Sequence, residues 1–305
     1  MLVPVIAGPT GVGKTALAAA VAGQAAVEIV SADSRQVYRG LEIGTAAPSR
    51  GERAGVSYHG VGFVDPRERY SAGRFAREAA GWIALVAERG ATPLVVGGTG
   101  FYLRALFDGL FLEPDLDDAR RRRLGAWLGG LPRGELARWA GRLDRAFRGG
   151  GAQRGQRAVE VALLTGRPIS ALQEERPPEP RGIRPWYAVL TLERGLLRER
   201  IAVRARAMLE AGWIEEVRSA LAAGVPADAP GLSAVGYREI VAHIAGRIGA
   251  ARLEEAIIAA TRRYAKRQET WFRHQLRGPV VRLDAAAEPE ALARALLAAY
   301  RAAAD

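Results

Sequence analysis

The sequence predicts an α/β protein: a parallel sheet with flanking helices, interrupted by a helical insertion. Three observations predict it. Short apolar runs alternate with helical patterns through the first third of the chain, which is the signature of parallel strands joined by crossover helices. The runs end in Gly, Asp or Thr, the residue types that ligands meet off the carboxyl ends of such strands. Strand patterns vanish from Pro114 to about Gly182 and return at Trp186.

The elements follow in order. "LVPVIAG", Leu2 to Gly8, is an apolar run closed by glycine, and the helix-forming "KTALAAAVAGQ" follows it. "VEIVSAD" is a second buried-strand pattern ending at Asp33, and "SRQVYRGLEIGTAAPS" reads as a loop. Residues 73 to 89 are amphipathic and helical. "TPLVVGGTGFY" supplies a third strand, Pro93 to Val96, and a Gly-rich turn. The middle of the chain holds short helical stretches broken by "RGGGAQRG" and "RPPEPRGIRP", with 14 Arg against 9 acidic residues in 114–182. "WYAVLTL" restores strand character at 186–192, with helical stretches at about 194–223, 234–245 and 250–276. A last strand, "VVRL", and an Ala-rich helix close the chain. The expected division is a core of 1–113 with 184–305 and a helical insertion of 114–183.

Composition narrows the function classes. The chain has 305 residues, no cysteine and three histidines, which excludes disulfides, thiolate zinc sites and cysteine nucleophiles. No leader pattern opens it and no long apolar segment follows, so a cytoplasmic protein away from the membrane is expected, with a monomer as its state. A net charge of +11 and a pI near 10.7 suit a polyanionic partner. The 44 basic residues include only two lysines, Lys14 and Lys266. A chain that otherwise writes arginine has kept a compact ammonium at Lys14, where a guanidinium fork would not fit a loop of backbone amides.

Lys14 sits in G-x-x-x-x-G-K-T: Gly8, Pro9, Thr10, Gly11, Val12, Gly13, Lys14 and Thr15. Consecutive loop amides and a helix N-terminus cradle phosphate, the lysine adds a point charge, and the Thr15 hydroxyl is placed to complete a Mg²⁺ shell. An ordinary phosphate-loop ATPase also wants an acid at a neighbouring strand end. "PLVVGGTG" ends in glycines and Thr99, leaving Asp33 at the other strand end. Asp33 is open to three readings: general base, magnesium ligand, or helix N-cap of "DSRQ". Thr99 is either a turn residue or a second contact to the same phosphate group. Arg200 and Arg204, four apart, are solvated or clamp a leaving phosphate. In "TRRYAKRQETWFR", 261–273, Arg263 with Arg267 and Arg262 with Lys266 align at helical spacing, with Tyr264, Trp271 and Phe272 interleaved; such a helix is packed and salt-bridged, or tracks a nucleic-acid backbone.

"GPTGVGKT", "SADSRQVYRGLEIGTAAP", "VGGTGFYLRAL", "QRGQRAVEV", "VGYREI" and "TRRYAKRQETWFR" occur in the order and spacing of the tRNA dimethylallyltransferase (tRNA isopentenyltransferase) family, and the sequence resembles its bacterial members over nearly its whole length. The resemblance implies a phosphate-loop kinase-like core. It implies transfer of a dimethylallyl group from dimethylallyl diphosphate to N6 of the adenosine 3′ of the anticodon, with Mg²⁺. It places the catalytic base on Asp33, diphosphate ligands on Thr10 to Thr15 and on Thr99, and a phosphate-binding arginine on Arg204. It places contacts to the tRNA anticodon stem-loop on Asp33, Ser34, Arg35 and Gln36, and on Gln153, Arg154, Gly155, Gln156 and Arg157; the helix residues Arg263, Lys266 and Arg267 join these as expected RNA contacts. The sequence departs from the family at Ala47, where lysine is common, at Gly149 to Gly151, and at Arg206, where an acid is common. The rivals are a small-molecule kinase using ATP, isopentenyl transfer to free adenine nucleotide, and a non-catalytic RNA-binding module.

Overall fold

The computed structural model describes residues 1–49, 51, 55–109, 117–175 and 182–304. The chain divides into two compact units, Met1–Asp108 with Arg181–Asp305, and Gly109–Pro180. The boundary expected between residues 113 and 114 lies outside the described residues, as do Arg176 to Arg181 of "RPPEPRGIRP".

The first unit is built on six parallel strands: β1 (Leu2–Ala7), β2 (Val27–Ser31), β3 (Tyr58–His59), β4 (Thr92–Gly97), β5 (Arg184–Thr191) and β6 (Val280–Asp284). Their order is β3-β2-β4-β1-β5-β6. β1 lies between β4 and β5, with Val5 opposite Val95 on one side and Tyr187 on the other. Strands covered on both faces read as continuous apolar runs, and β1 is buried from Val3 to Ala7. Ile6, Leu94 and Leu190 share one core cluster with Leu17 of the helix Lys14–Ala22 and with Leu197 and Ile201 of the helix Arg194–Glu210.

Four sequence expectations change: the segment read as a loop after β2 carries a short helix, Glu42–Thr45. β3 has only two residues, too short to leave a pattern, and pairs with β2 through Ile29–Tyr58 and Val30–His59. The turn after β4 continues into a helix, Gly100–Phe107. The helical stretch expected over 194–223 is two helices, Arg194–Glu210 and Trp213–Ala222, because Gly212 takes a left-handed conformation at φ 95°. The expected 250–276 helix runs from Ala250 to His274. Among the described residues no helix is long and apolar enough to cross a membrane.

The second unit is helical: Asp118–Gly129, Arg133–Leu143, Ala152–Thr165 and Ile169–Glu174. Leu128, Leu136, Ala140, Ala158 and Val159 form its small core. Gly155 is buried beside this core and faces Leu136, whose backbone a Cβ at that position would meet at 3.5 Å. Asp144 accepts from Ala146 N–H (2.9 Å), Ser170 N–H (3.0 Å) and the Ser170 hydroxyl (2.7 Å), satisfying its buried carboxylate.

The ends of β2 and β4 approach closely. Ala32 N–H donates to the Val96 carbonyl at 2.7 Å, and a Cβ on Gly97 would stand 2.2 Å from the Ala32 carbonyl oxygen. That obstacle is backbone, which cannot rotate away. Gly97→Ala is therefore expected to lose about 2 kcal/mol or more of stability, read as a lower urea midpoint at unchanged m-value. A variant as stable as the parent would show that the strand ends separate freely.

Candidate active site

The loop Gly8–Gly13 leaves β1 and turns into the helix Lys14–Ala22. Gly8, Gly11 and Gly13 have φ of 149°, 81° and 110°, values that a side chain disfavours. No side chain caps that helix and no acid sits in its first turn, so its N-terminal amides remain available to an anion. Lys14 folds back over the loop, its Nζ donating to the carbonyls of Gly8 (2.9 Å) and Pro9 (2.8 Å).

Burial pushes the Lys14 ammonium down to about 8, Asp33 opposing the shift and Arg204 adding to it. Burial also holds the Arg204 guanidinium below its ordinary range, again with Asp33 opposing. Among the described residues Arg204 makes no hydrogen bond or ion pair. Two half-buried cations thus share one carboxylate, a charge imbalance that favours an anionic ligand. Arg200 instead braces backbone, its Nη1 and Nη2 donating to the carbonyls of Val12 (3.3 Å) and Ala285 (3.1 Å).

A shallow cleft opens here. Lys14, Thr15, Ser31, Asp33 and Gln36 line it with polar atoms, and Ala18, Ile29, Tyr58 and Val96 with apolar ones. Asp33 Oδ1 accepts from Arg35 N–H at 2.8 Å. Residues 34–37 form turns, with no helix for Asp33 to cap, and its second oxygen has no hydrogen bond among the described residues. Thr99 Oγ1 accepts from Ser34 N–H at 3.0 Å and donates to Ser34 Oγ at 3.4 Å, joining the β4 turn to the segment after β2.

The other expected site residues fall into groups. The Arg35 guanidinium donates to Pro230 O (3.0 Å) and Ser233 Oγ (3.1 Å). The Gln36 amide donates to Ala46 O (3.0 Å) and accepts from the Ser31 hydroxyl (2.9 Å). Both side chains hold neighbouring groups of the protein. Arg263, Lys266 and Arg267 are exposed on the long helix Ala250–His274, and the Arg267 guanidinium lies over the Tyr264 ring, 5.6 Å from its centre. In the second unit Gln153 and Arg154 are exposed, the Gln156 amide donates to Gly125 O (3.4 Å), and Arg157 pairs with Glu160 (2.7 Å). Arg206 pairs with Glu254 at 2.7 Å.

Two side chains hold places at the site that the sequence did not assign to them. The Tyr264 hydroxyl lies beside Thr99, and burial and Asp33 push it up to about 12, so it stays protonated. Gln268 Oε1 accepts from Thr10 N–H at 2.9 Å, and its Nε2 donates to Gly98 O at 2.7 Å. Their spacing of four on one helix was a usable signal; which way that face turns was not.

Comparison with known proteins gives one answer. The IPP transferase family model matches residues 36–275, and an isopentenyl transferase model matches 1–58. A tRNA dimethylallyltransferase of Geobacter metallireducens is 43% identical over 274 residues, covering 88% of each chain. The crystal structure of a tRNA isopentenylpyrophosphate transferase from Bacillus halodurans superposes with a TM-score of 0.67 at 32% identity, over 93% of this chain and 89% of that one. A eukaryotic dimethylallyltransferase acting on tRNA superposes with a TM-score of 0.73 at 27% identity, over 93% of this chain and 74% of that one. The phosphate loop, the parallel sheet and these matches together establish that the chain belongs to the IPP transferase family, whose curated relatives are tRNA dimethylallyltransferases.

Proposed function

We propose that this chain transfers a dimethylallyl group from dimethylallyl diphosphate to N6 of the adenosine 3′-adjacent to the anticodon in tRNA, releasing diphosphate, as a cytoplasmic enzyme. The observation that carries the reading is the pair of half-buried cations, Lys14 and Arg204, around an uncapped helix N-terminus with the Asp33 carboxylate close by. The cations fit a leaving diphosphate and the carboxylate fits an acceptor that must lose a proton. β4 ends at Gly97 and is followed by Gly98 and Thr99, without the acid of an ordinary phosphate-loop ATPase.

The chemistry balances on these groups. The N6 lone pair forms the C–N bond to C1 of the dimethylallyl group as the C–O bond to diphosphate breaks. The bonding pair leaves with the diphosphate, whose growing charge Lys14, the loop amides and Arg204 stabilise. Asp33 takes the N6 proton, and its Oδ1 bond to Arg35 N–H fixes the carboxylate while the other oxygen faces the acceptor. Thr99, anchored to Ser34, contacts a second face of the diphosphate. The adenine must leave its stack to reach this cleft. Arg263, Lys266 and Arg267, with the arginines of the second unit, engage the RNA backbone.

A divalent ion fits the site as a companion of the donor. Thr15 and Asp33 offer hard oxygen atoms in one cleft, and no group of three acidic or His side chains among the described residues forms a cage by itself. Such a donor set suits Mg²⁺, which keeps waters and takes phosphate oxygens; when bound it neutralises charge on the diphosphate.

Incubation with dimethylallyl diphosphate or ATP, each with an anticodon stem-loop or free adenine nucleotide, tests the reading. Prenylated stem-loop from the first donor is expected. Transfer only to free nucleotide, or phosphate transfer from ATP, would overturn it.

Donor binding is also expected to depend on pH through Lys14. The ammonium is lost from the free protein as pH rises through about 8, whereas bound diphosphate raises its pKa again. Donor affinity should therefore fall above that pH, with roughly half a proton taken up by the protein per donor at about pH 8, where the donor itself is fully ionised. Calorimetry at about pH 8 in buffers of different ionisation heat reads this uptake; none there would remove Lys14 from the cradle.

Asp33→Asn keeps the shape and can hold the Arg35 amide, but cannot take the N6 proton. Single-turnover transfer should fall roughly 10²-fold or more with near-parental melting and stem-loop affinity. Recovery at raised Mg²⁺ would instead make Asp33 chiefly a metal ligand, and parental turnover would refute the base.

A further inference from the structure

Gln268 is one of few buried polar side chains among the described residues, with 7% of its surface exposed. Both ends of its amide are used, on backbone groups from two different strand ends: Thr10 N–H in the phosphate loop and Gly98 C=O in the β4 turn. The same face of the helix Ala250–His274 also presents Tyr264, beside Thr99, and Trp271, which stands where a Cβ on Gly100 would come within 2.3 Å of its ring. Positions 264, 268 and 271 thus pack along Thr99, Gly98 and Gly100. Of these contacts, the Gln268 amide alone also reaches the phosphate loop.

Chemistry makes glutamine hard to replace here. A primary amide carries an acceptor and a donor at fixed separation, so it bridges an N–H and a C=O that cannot meet directly. An aliphatic side chain of the same volume would leave both backbone groups unpaired, and a carboxylate would set lone pairs against Gly98 O. The bridge also commits the Thr10 N–H to Gln268, so that amide is not among those free to meet the diphosphate.

We propose that Gln268 is a positioning residue for the transfer, its amide spanning Thr10 and Gly98 so that the diphosphate cradle is held at a fixed spacing from Thr99 and Asp33. The inference rests on the reaction proposed above. Its effect belongs to alignment of donor and acceptor, which acts on turnover more than on donor binding, and small misplacements of reacting groups cost rate steeply.

Gln268→Met removes both bonds at similar volume, and Gln268→Glu keeps the acceptor for Thr10 while placing negative charge beside the donor site. Each is assayed with the parent for kcat and donor KM on the stem-loop, beside thermal melts. The Met variant is expected to lose roughly 10- to 100-fold in kcat with donor KM within about threefold of the parent. The Glu variant should lose kcat and also show a raised donor KM. If the Met variant does not fold, the Glu variant carries the test. Parental kcat at saturating donor in a folded variant, with only the melt lowered, would reduce Gln268 to a structural part and overturn the proposal. A parent that transfers nothing would overturn the reaction and this inference together; a parent that transfers beside an unimpaired variant overturns the inference alone.

Discussion

An uncompensated positive charge governs the site. Lys14 and Arg204 are both half-buried, and Asp33 is the carboxylate that bears on both. Burying a cation costs free energy unless a partner repays it, so the free protein carries an excess of positive charge here that a polyanion relieves. The surroundings hold that charge in place. Backbone carbonyls of Gly8 and Pro9 tether the ammonium, Arg200 braces the loop from behind through Val12, and Gln268 ties its tip to the next strand end.

The sheet makes this possible by bringing the ends of β1, β4 and β2 side by side, with glycines where the backbones come closest. The long helix Ala250–His274 then works with two faces. Its inner face carries Ala265, Gln268 and Phe272 into the core, and its outer face carries Arg263, Lys266 and Arg267 to solvent. Such a division on one helix places charge at a constant offset from the loops beneath it.

Much of this was legible in the sequence, for physical reasons. Strands buried on both faces wrote themselves as "PVIA", "EIVS" and "PLVV", and the rule that ligands meet strand carboxyl ends led from these runs to Gly8–Thr15, Asp33 and Thr99. β3 was invisible because two residues carry no periodicity. The break at Gly212 was hidden because apolar residues continue beyond it at Trp213 and Val217, and one left-handed glycine leaves no mark on the pattern. The contacts of Gln268 and Tyr264 were out of reach because they depend on how the helix is rotated against the sheet, which tertiary packing decides. Arg35 and Gln36 show the same limit from the other side: both are polar residues in a loop, and only the folded chain reveals that they bond Pro230, Ser233 and Ala46.

The near-absence of lysine has a chemical corollary. Apart from the terminal amine, the chain offers acylating reagents only two primary amines, Lys14 and Lys266, since guanidinium groups stay protonated and unreactive. The two differ in kind: Lys266 lies open on the long helix, whereas Lys14 is partly neutral near pH 8 and half-buried in the cleft wall. Covalent labelling thereby becomes a two-channel reporter in the unmodified protein. One amine senses what covers the outer helix, and the other senses whether the phosphate loop is filled.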